Sequence, residues 1–244
     1  MREIFFILLV FATFSTSAKI PLENSRQLMV VVTENWRAHK GKINRFERES
    51  INAKWRKISN TKPVVVGKNG LGWGKGLHSA PSIPGPIKKE GDLKAPAGIF
   101  SLGASFGHTN SKYIKNKLSY IEITPTTEAI DDPNSVYYNQ ILRRELISNP
   151  DWISSEKMGL ISLYLRGIII NHNTIDIDRK LGSQIFMHIW RSSKDGTAGC
   201  TALSPESMNE IFNWLDSNKH PLLVQLPRSV LRKVSKDWGL PIHN

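Results

Sequence analysis

What most restricts this chain is the shortness of its apolar runs. QLMVVVT (27–33), KPVVVG (62–67), YIEIT (120–124), LRGIIINH (165–172), SQIFMHIW (183–190) and HPLLVQLP (220–227) are strand-sized, and most are rich in β-branched residues. Runs of this kind between turn-forming residues read as strands, buried on both faces or on one. In the stretch 42–58, Phe46, Ile51, Trp55 and Ile58 fit neither period well, and strands are the reading retained there. Glycine and proline crowd residues 68–100, so a long shaped loop is expected, of a kind that tends to serve function. Residues 131–158 read as irregular structure with one short helix near Leu142. One helix is well signalled: Ser204 can cap it, Pro205 suits its first turn, and Met208, Ile211, Phe212 and Leu215 share a face. Residues 229–244 are expected to form a tail with a short amphipathic helix packed on the outside. The class expected is mainly β with a few helices in a single domain, not alternating βαβ units.

The N-terminus points to export. Met1, Arg2 and Glu3 precede an apolar run at 4–14 and the small residues Ser15, Thr16, Ser17 and Ala18, the layout of a cleaved signal peptide over residues 1–18. The apolar part falls short of the roughly 20 residues that span a bilayer, so removal is expected rather than a short anchor. No later stretch is long and apolar enough for stable membrane insertion. Lys and Arg number 33 against 21 Asp and Glu, a net charge of +12. Such a balance either aids solubility or meets an anionic partner. Outside the cytoplasm that partner is a wall polymer or a membrane surface, and no nucleic-acid motif is present.

Exported chains usually pair their cysteines, so the single one, Cys200, is a reactive or intermolecular thiol or else a buried filler. A thiol attacks carbonyls as thiolate and needs a neighbouring base. Alternation along SQIFMHIW puts Gln184, Phe186, His188 and Trp190 on one face, and the loop RSSKDGT returns the chain toward Ala198, Gly199 and Cys200. That layout can bring imidazole and sulfur within reach of each other. Gly196 and Gly199 let a carbonyl approach closely, with the Gly199 and Cys200 N–H groups as the natural oxyanion donors. The competing reading makes His188, between Met187 and Ile189, a satisfied core residue. One cysteine with scattered histidines lacks the spacing of a zinc site, so no metal is expected.

The stretch FMHIWRSSKDGTAGCTALS (186–204) resembles the active-site signature of the YkuD-type L,D-transpeptidase catalytic domain. VVVGKNGLGWG, KKEGDLKAPAGIFSLGASFG, YIEITPTTEAIDDPNSVYYNQIL and NHNTIDIDRKLGSQIFMHIW resemble, in the same order, segments that accompany it in one branch of that family. The resemblance covers roughly residues 27–226. It implies a β-sandwich-like catalytic domain over 19–228, periplasmic or wall-associated, acting on peptidoglycan stem peptides without a cofactor. Cys200 would form a thioester with the stem, expelling its terminal D-residue, and His188 would serve as base and acid, with an amine or water resolving the intermediate. Gly199 would join the catalytic pair, and Thr197 and Ala198 would contact the substrate. Tyr138 and Asn139, with Asp131 and Asp132, resemble positions near the cleft, turn structure being their other reading. Asn173 is either part of the site or a turn former, and Trp73 either a surface for stem or glycan or an anchor into the core. In the family a backbone carbonyl often orients the histidine; Asn171, Asn173 and Asp178 are side-chain candidates. Ala198 and Ala202 stand where many members carry a second histidine and an arginine or asparagine. The Ala202 departure removes a partner for a substrate carboxylate. A hydrolase using the same thioester, or a wall-binding shell without chemistry, are the competing functions.

Overall fold

The computed structural model describes residues 22–79 and 82–241, so the signal segment expected over 1–18 lies outside the described residues. The strands are β1 (Gln27–Thr33), β2 (Lys40–Glu47), β3 (Arg56–Lys57), β4 (Lys62–Val65), β5 (Leu71–Trp73), β6 (Ala95–Gly107) and β7 (Tyr120–Glu122). They continue with β8 (Thr127–Ile130), β9 (Ile141–Arg143), β10 (Ser155–Lys157), β11 (Arg166–Ile170), β12 (Phe186–Ile189), β13 (Thr201–Leu203) and β14 (Leu222–Pro227). Among the described residues two α-helices, α1 (Pro205–Trp214) and α2 (Arg228–Val234), complete a mainly β structure.

Each expected apolar run contains a strand, and all of these but β7 join β2, β6 and β13 in a closed circuit. Hydrogen-bonded neighbours run β1, β14, β6, β11, β12, β13, β4, β2, and β2 pairs with β1 again. Side chains turned inward from these strands, among them Met29, Phe100, Ile168, Met187, Leu203 and Val224, form the main core. Closure leaves the sheet few open edges, and the strands are buried enough to read as continuous apolar runs. Helix α1 covers part of this sheet with Met208, Ile211 and Phe212; Ser204 Oγ accepts from Ser207 N–H at 3.2 Å as its cap, and Pro205 stands in its first turn. In the tail, α2 buries Val230 and Val234, and Leu240 beyond it is buried too. Among the described residues no helix is long and apolar enough to cross a membrane.

Two expectations are corrected. The stretch 68–100, read as loop, contains β5 and the first half of β6, the longest strand of the molecule. Pro96 and Gly98 hide it, because each weakens a strand locally. Partners override them: β5 lies along Ala95–Ala97, and β14 along Gly98–Ser101. In 131–158, Leu142 lies not in a helix but in β9, followed by one 3-10 turn at Arg144–Leu146. There β8, buried throughout, is paired by β9 on one side and β10 on the other, forming a small second sheet. Between this sheet and the main one lies a separate apolar cluster of Phe106, Ile123, Ala129, Met158, Tyr164 and Phe186, and Cys200 belongs to it.

Candidate active site

Strands β12 and β13 run parallel, with His188 opposite Ala202. Paired residues project to the same face, and Cys200, two before Ala202, projects there as well. The thiol is held from the strand beside it: Phe186 N–H donates to Sγ at 3.3 Å, and the thiol donates to Gln184 O at 3.6 Å. Cys200 and His188 line one cleft of about 370 Å3, walled also by Val65, Glu156 and Tyr164. At its rim stand two cations, Lys68 and Arg191.

His188 is fixed from two sides. Its Nδ1–H donates to Ile189 O at 2.7 Å, which assigns the proton to Nδ1 and leaves Nε2 as the free acceptor. Its ring meets Tyr164 edge to face with centroids 5.2 Å apart, and Tyr164 Oη donates to Glu156 Oε2 at 2.5 Å. A backbone carbonyl therefore orients the histidine. The side-chain candidates are engaged elsewhere: Asn171 donates to Ser101 Oγ, and Asp178 Oδ1 accepts from Lys180 N–H. Burial lowers the pKa of His188 from 6.5 to about 4, and the Ile189 carbonyl only partly opposes this. Burial also pushes the Cys200 thiol well up; the Glu156 charge adds to that, while the Phe186 N–H and Lys88 work against it. At neutral pH the two groups rest as a thiol and a neutral imidazole, not as an ion pair.

The turn before Cys200 is tightly built. Thr197 Oγ1 donates to Cys200 O at 2.6 Å and accepts from Gly199 N–H at 3.2 Å. Gly199 N–H, expected as an oxyanion donor, is thus already engaged by Thr197. Lys68 N–H donates to Thr197 O at 2.8 Å, tying this turn to the end of β4. A methyl group on Gly196 would stand 2.5 Å from Lys68 Cα, so glycine is what allows the close approach. Thr197 and Ala198 line the cleft with Cys200.

Four expected substrate-contacting residues lie outside the cleft lining. Trp73 is a core anchor: it is buried, donates through Nε1 to Ile83 O at 3.0 Å and meets Trp36 edge to face. Tyr138 is buried and donates to Glu90 Oε2 at 2.5 Å. Asn173, fully buried at φ 56°, donates to Asp178 O and Gly182 O and accepts from Asp178 N–H, so it staples a loop. Asn139, at φ 66°, accepts from Gln184 N–H at 2.9 Å. Gln184 in turn donates through Nε2 to Ile130 O and Gln140 O, tying the second sheet to the residue whose carbonyl faces the thiol. Asn139 thus reaches Cys200 through Gln184.

Sequence reasoning missed Glu156, Tyr164, Lys68 and Arg191. The first two come from a strand and a 3-10 segment with no local signal of chemistry: Glu156 arrives on β10 of the second sheet, and Tyr164 on a 3-10 segment packed against β12.

A sequence model of the YkuD family, the L,D-transpeptidase catalytic domain, matches residues 47–226. No curated protein matches the chain in sequence. Among solved structures, the crystal structure of the helical cell shape determining protein Pgp2 from Campylobacter jejuni is 18% identical, with a TM-score of 0.37 over 83% of this chain. The match covers 50% of that protein's length.

Proposed function

The chain belongs to the YkuD family of L,D-transpeptidase catalytic domains, and from that premise we propose that it is an exported cysteine enzyme, periplasmic or wall-associated, that crosslinks peptidoglycan stem peptides through Cys200. One geometric fact supports this above others: sulfur and imidazole open onto the same cleft, with Nδ1 tied to the Ile189 carbonyl and Nε2 left to act. As a stem carbonyl enters, Nε2 of His188 takes the proton from Sγ while the S–C bond forms. When the tetrahedral intermediate collapses, the C–N bond to the terminal D-residue breaks, and His188 returns the proton to the departing amine. The thioester is then attacked by the amine of a second stem, whose proton passes to Nε2 and on to the released thiol.

Because both partners start neutral, proton transfer accompanies attack and is not complete beforehand. The thiolate forms only in the presence of substrate, which limits side reactions of an exported thiol. The oxyanion donors in this account are the N–H of Cys200 and that of Gly199, the latter once Thr197 Oγ1 releases it. Ala202 carries no charge, so Lys68 and Arg191 at the rim are assigned the substrate carboxylate instead.

Purified muropeptides incubated with the protein and followed by mass test the reading. Crosslinked dimers are expected from the wild type and none from Cys200→Ala. Trimmed monomers alone would assign a hydrolase using the same thioester, and retention without conversion would leave a wall-binding shell.

A further inference from the structure

Next to the cleft lies a second concavity that the proposed chemistry does not use. A groove of about 670 Å3 runs between β2 and α2 and is lined by five cations, Lys40, Lys42, Lys57, Arg228 and Arg232, and by one acid, Glu34. Arg228 is paired with Glu34 at 3.2 Å. Among the described residues the other four have no carboxylate partner, whereas Arg45, Lys62, Lys117, Lys157 and Lys219 each have one. Like charges gathered in a concave site repel one another and focus a positive potential that an anionic ligand relieves. The groove also has apolar lining from Val32, Leu231 and Pro241, with Asn44 and Thr61 as polar neighbours. A lipid headgroup layer or a phosphodiester chain would use the charge but not this lining. A peptide with carboxylates and small apolar side chains uses both.

The groove and the cleft share a face of the sheet. Lys40, in the groove, is the register partner of Val65, in the cleft wall. Val65 pairs with Ala202, and Ala202 with His188. Three strand steps separate His188 from Lys40, about 15 Å at the usual spacing.

We infer that the groove lined by Lys40, Lys42, Lys57 and Arg232 is a second binding site for the carboxylate-bearing stem peptides of the wall polymer, holding one stem while its neighbour occupies the Cys200 cleft. This rests on the substrate class proposed above and adds a site to it. Two linked contacts bind more tightly than either alone, because the second is made at high effective concentration.

The test measures binding by the full chain with Cys200→Ala, so that no turnover interferes. The probe is a soluble peptidoglycan fragment with two adjacent stems, used with free and with amidated carboxylates. Lys42→Ala with Arg232→Ala, both at exposed positions, should weaken the free-carboxylate fragment by about tenfold or more and leave the amidated one unchanged. Lys42→Arg should keep the affinity, and the fragment should protect backbone amides of β2 and α2 from hydrogen exchange. Unchanged affinity in the double variant, equal binding of the amidated fragment, or loss only of binding to anionic lipid vesicles would each overturn the inference. Thioester formation on wild-type Cys200 by a single-stem fragment is read separately: its absence sinks the chemistry and not the groove, while its presence beside an indifferent groove does the reverse.

Discussion

Cys200 and His188 rest uncharged for a shared reason: both are buried, and burial disfavours the thiolate and the imidazolium alike. A thiol held in this way should react with iodoacetamide at pH 7 more slowly than free cysteine, the rate rising only in strong alkali; rapid alkylation at neutral pH would show a preformed thiolate instead. Replacing His188 with alanine should lower the rate of thioester formation by about 10²–10⁴-fold, read as intact-mass adduct against time. The same burial has a cost in acid. His172 is also buried, accepts from Lys75 N–H through Nδ1 and donates to Leu181 O through Nε2, and its pKa is lowered to about 4. In the unfolded chain each imidazole binds its proton near pH 6.5, whereas in the folded protein each does so only near pH 4. Between those values the unfolded state holds more protons, so stability is full above about pH 6.5 and falls as the pH drops toward 4. The loss is of order 3 kcal/mol per histidine. Urea midpoints measured from pH 7 to pH 4 should decline accordingly, and the decline should be smaller in His172→Gln.

Among the elements, β6 shows what holds the sheet beside the site. Gly98 has φ 137°, and a methyl group there would meet the His78 ring at 2.0 Å, so Gly98→Ala should destabilise the fold by about 2 kcal/mol or more through strain and displacement of that ring. Thermal unfolding checks this directly, and a midpoint within a degree of the wild type would contradict it. Asn173→Ala breaks three hydrogen bonds of a fully buried side chain and should likewise cost about 2–4 kcal/mol. These residues also show how far the sequence could be read. Strands such as β1, β11, β12 and β14 were legible because their apolar residues bury alike wherever the strand pairs. The beginning of β6 was not, since Pro96 and Gly98 are poor strand formers and only the neighbours on either side decide their state. The strand, loop and turn that carry His188, Thr197, Ala198 and Cys200 to one cleft were legible as a local unit. By contrast, Asn139 and Asn173 adopt left-handed backbone that asparagine tolerates well, so their turn roles competed with a place in the site until the packing was known. Glu156 and Tyr164 lie on elements far from Cys200 in sequence, and nothing in their own segments announces that they meet His188.

At the scale of the whole molecule, the closed sheet presents the cleft and the basic groove side by side on one face, while the second sheet packs over Cys200. A net charge of +12, with four groove cations unpaired, should make retention on purified wall material fall steeply as salt is raised through the physiological range; retention indifferent to salt would point to apolar docking. The proposed function rests on one covalent intermediate. The decisive measurement is the intact mass of the wild-type protein, quenched in acid during turnover of a tetrapeptide stem, with the adduct located by peptide mapping. The expected mass gain equals that of the stem less the free terminal D-amino acid it expels, carried on Cys200 and lost on treatment with hydroxylamine. Turnover with Cys200 unmodified throughout, or with the adduct on another residue, would contradict it.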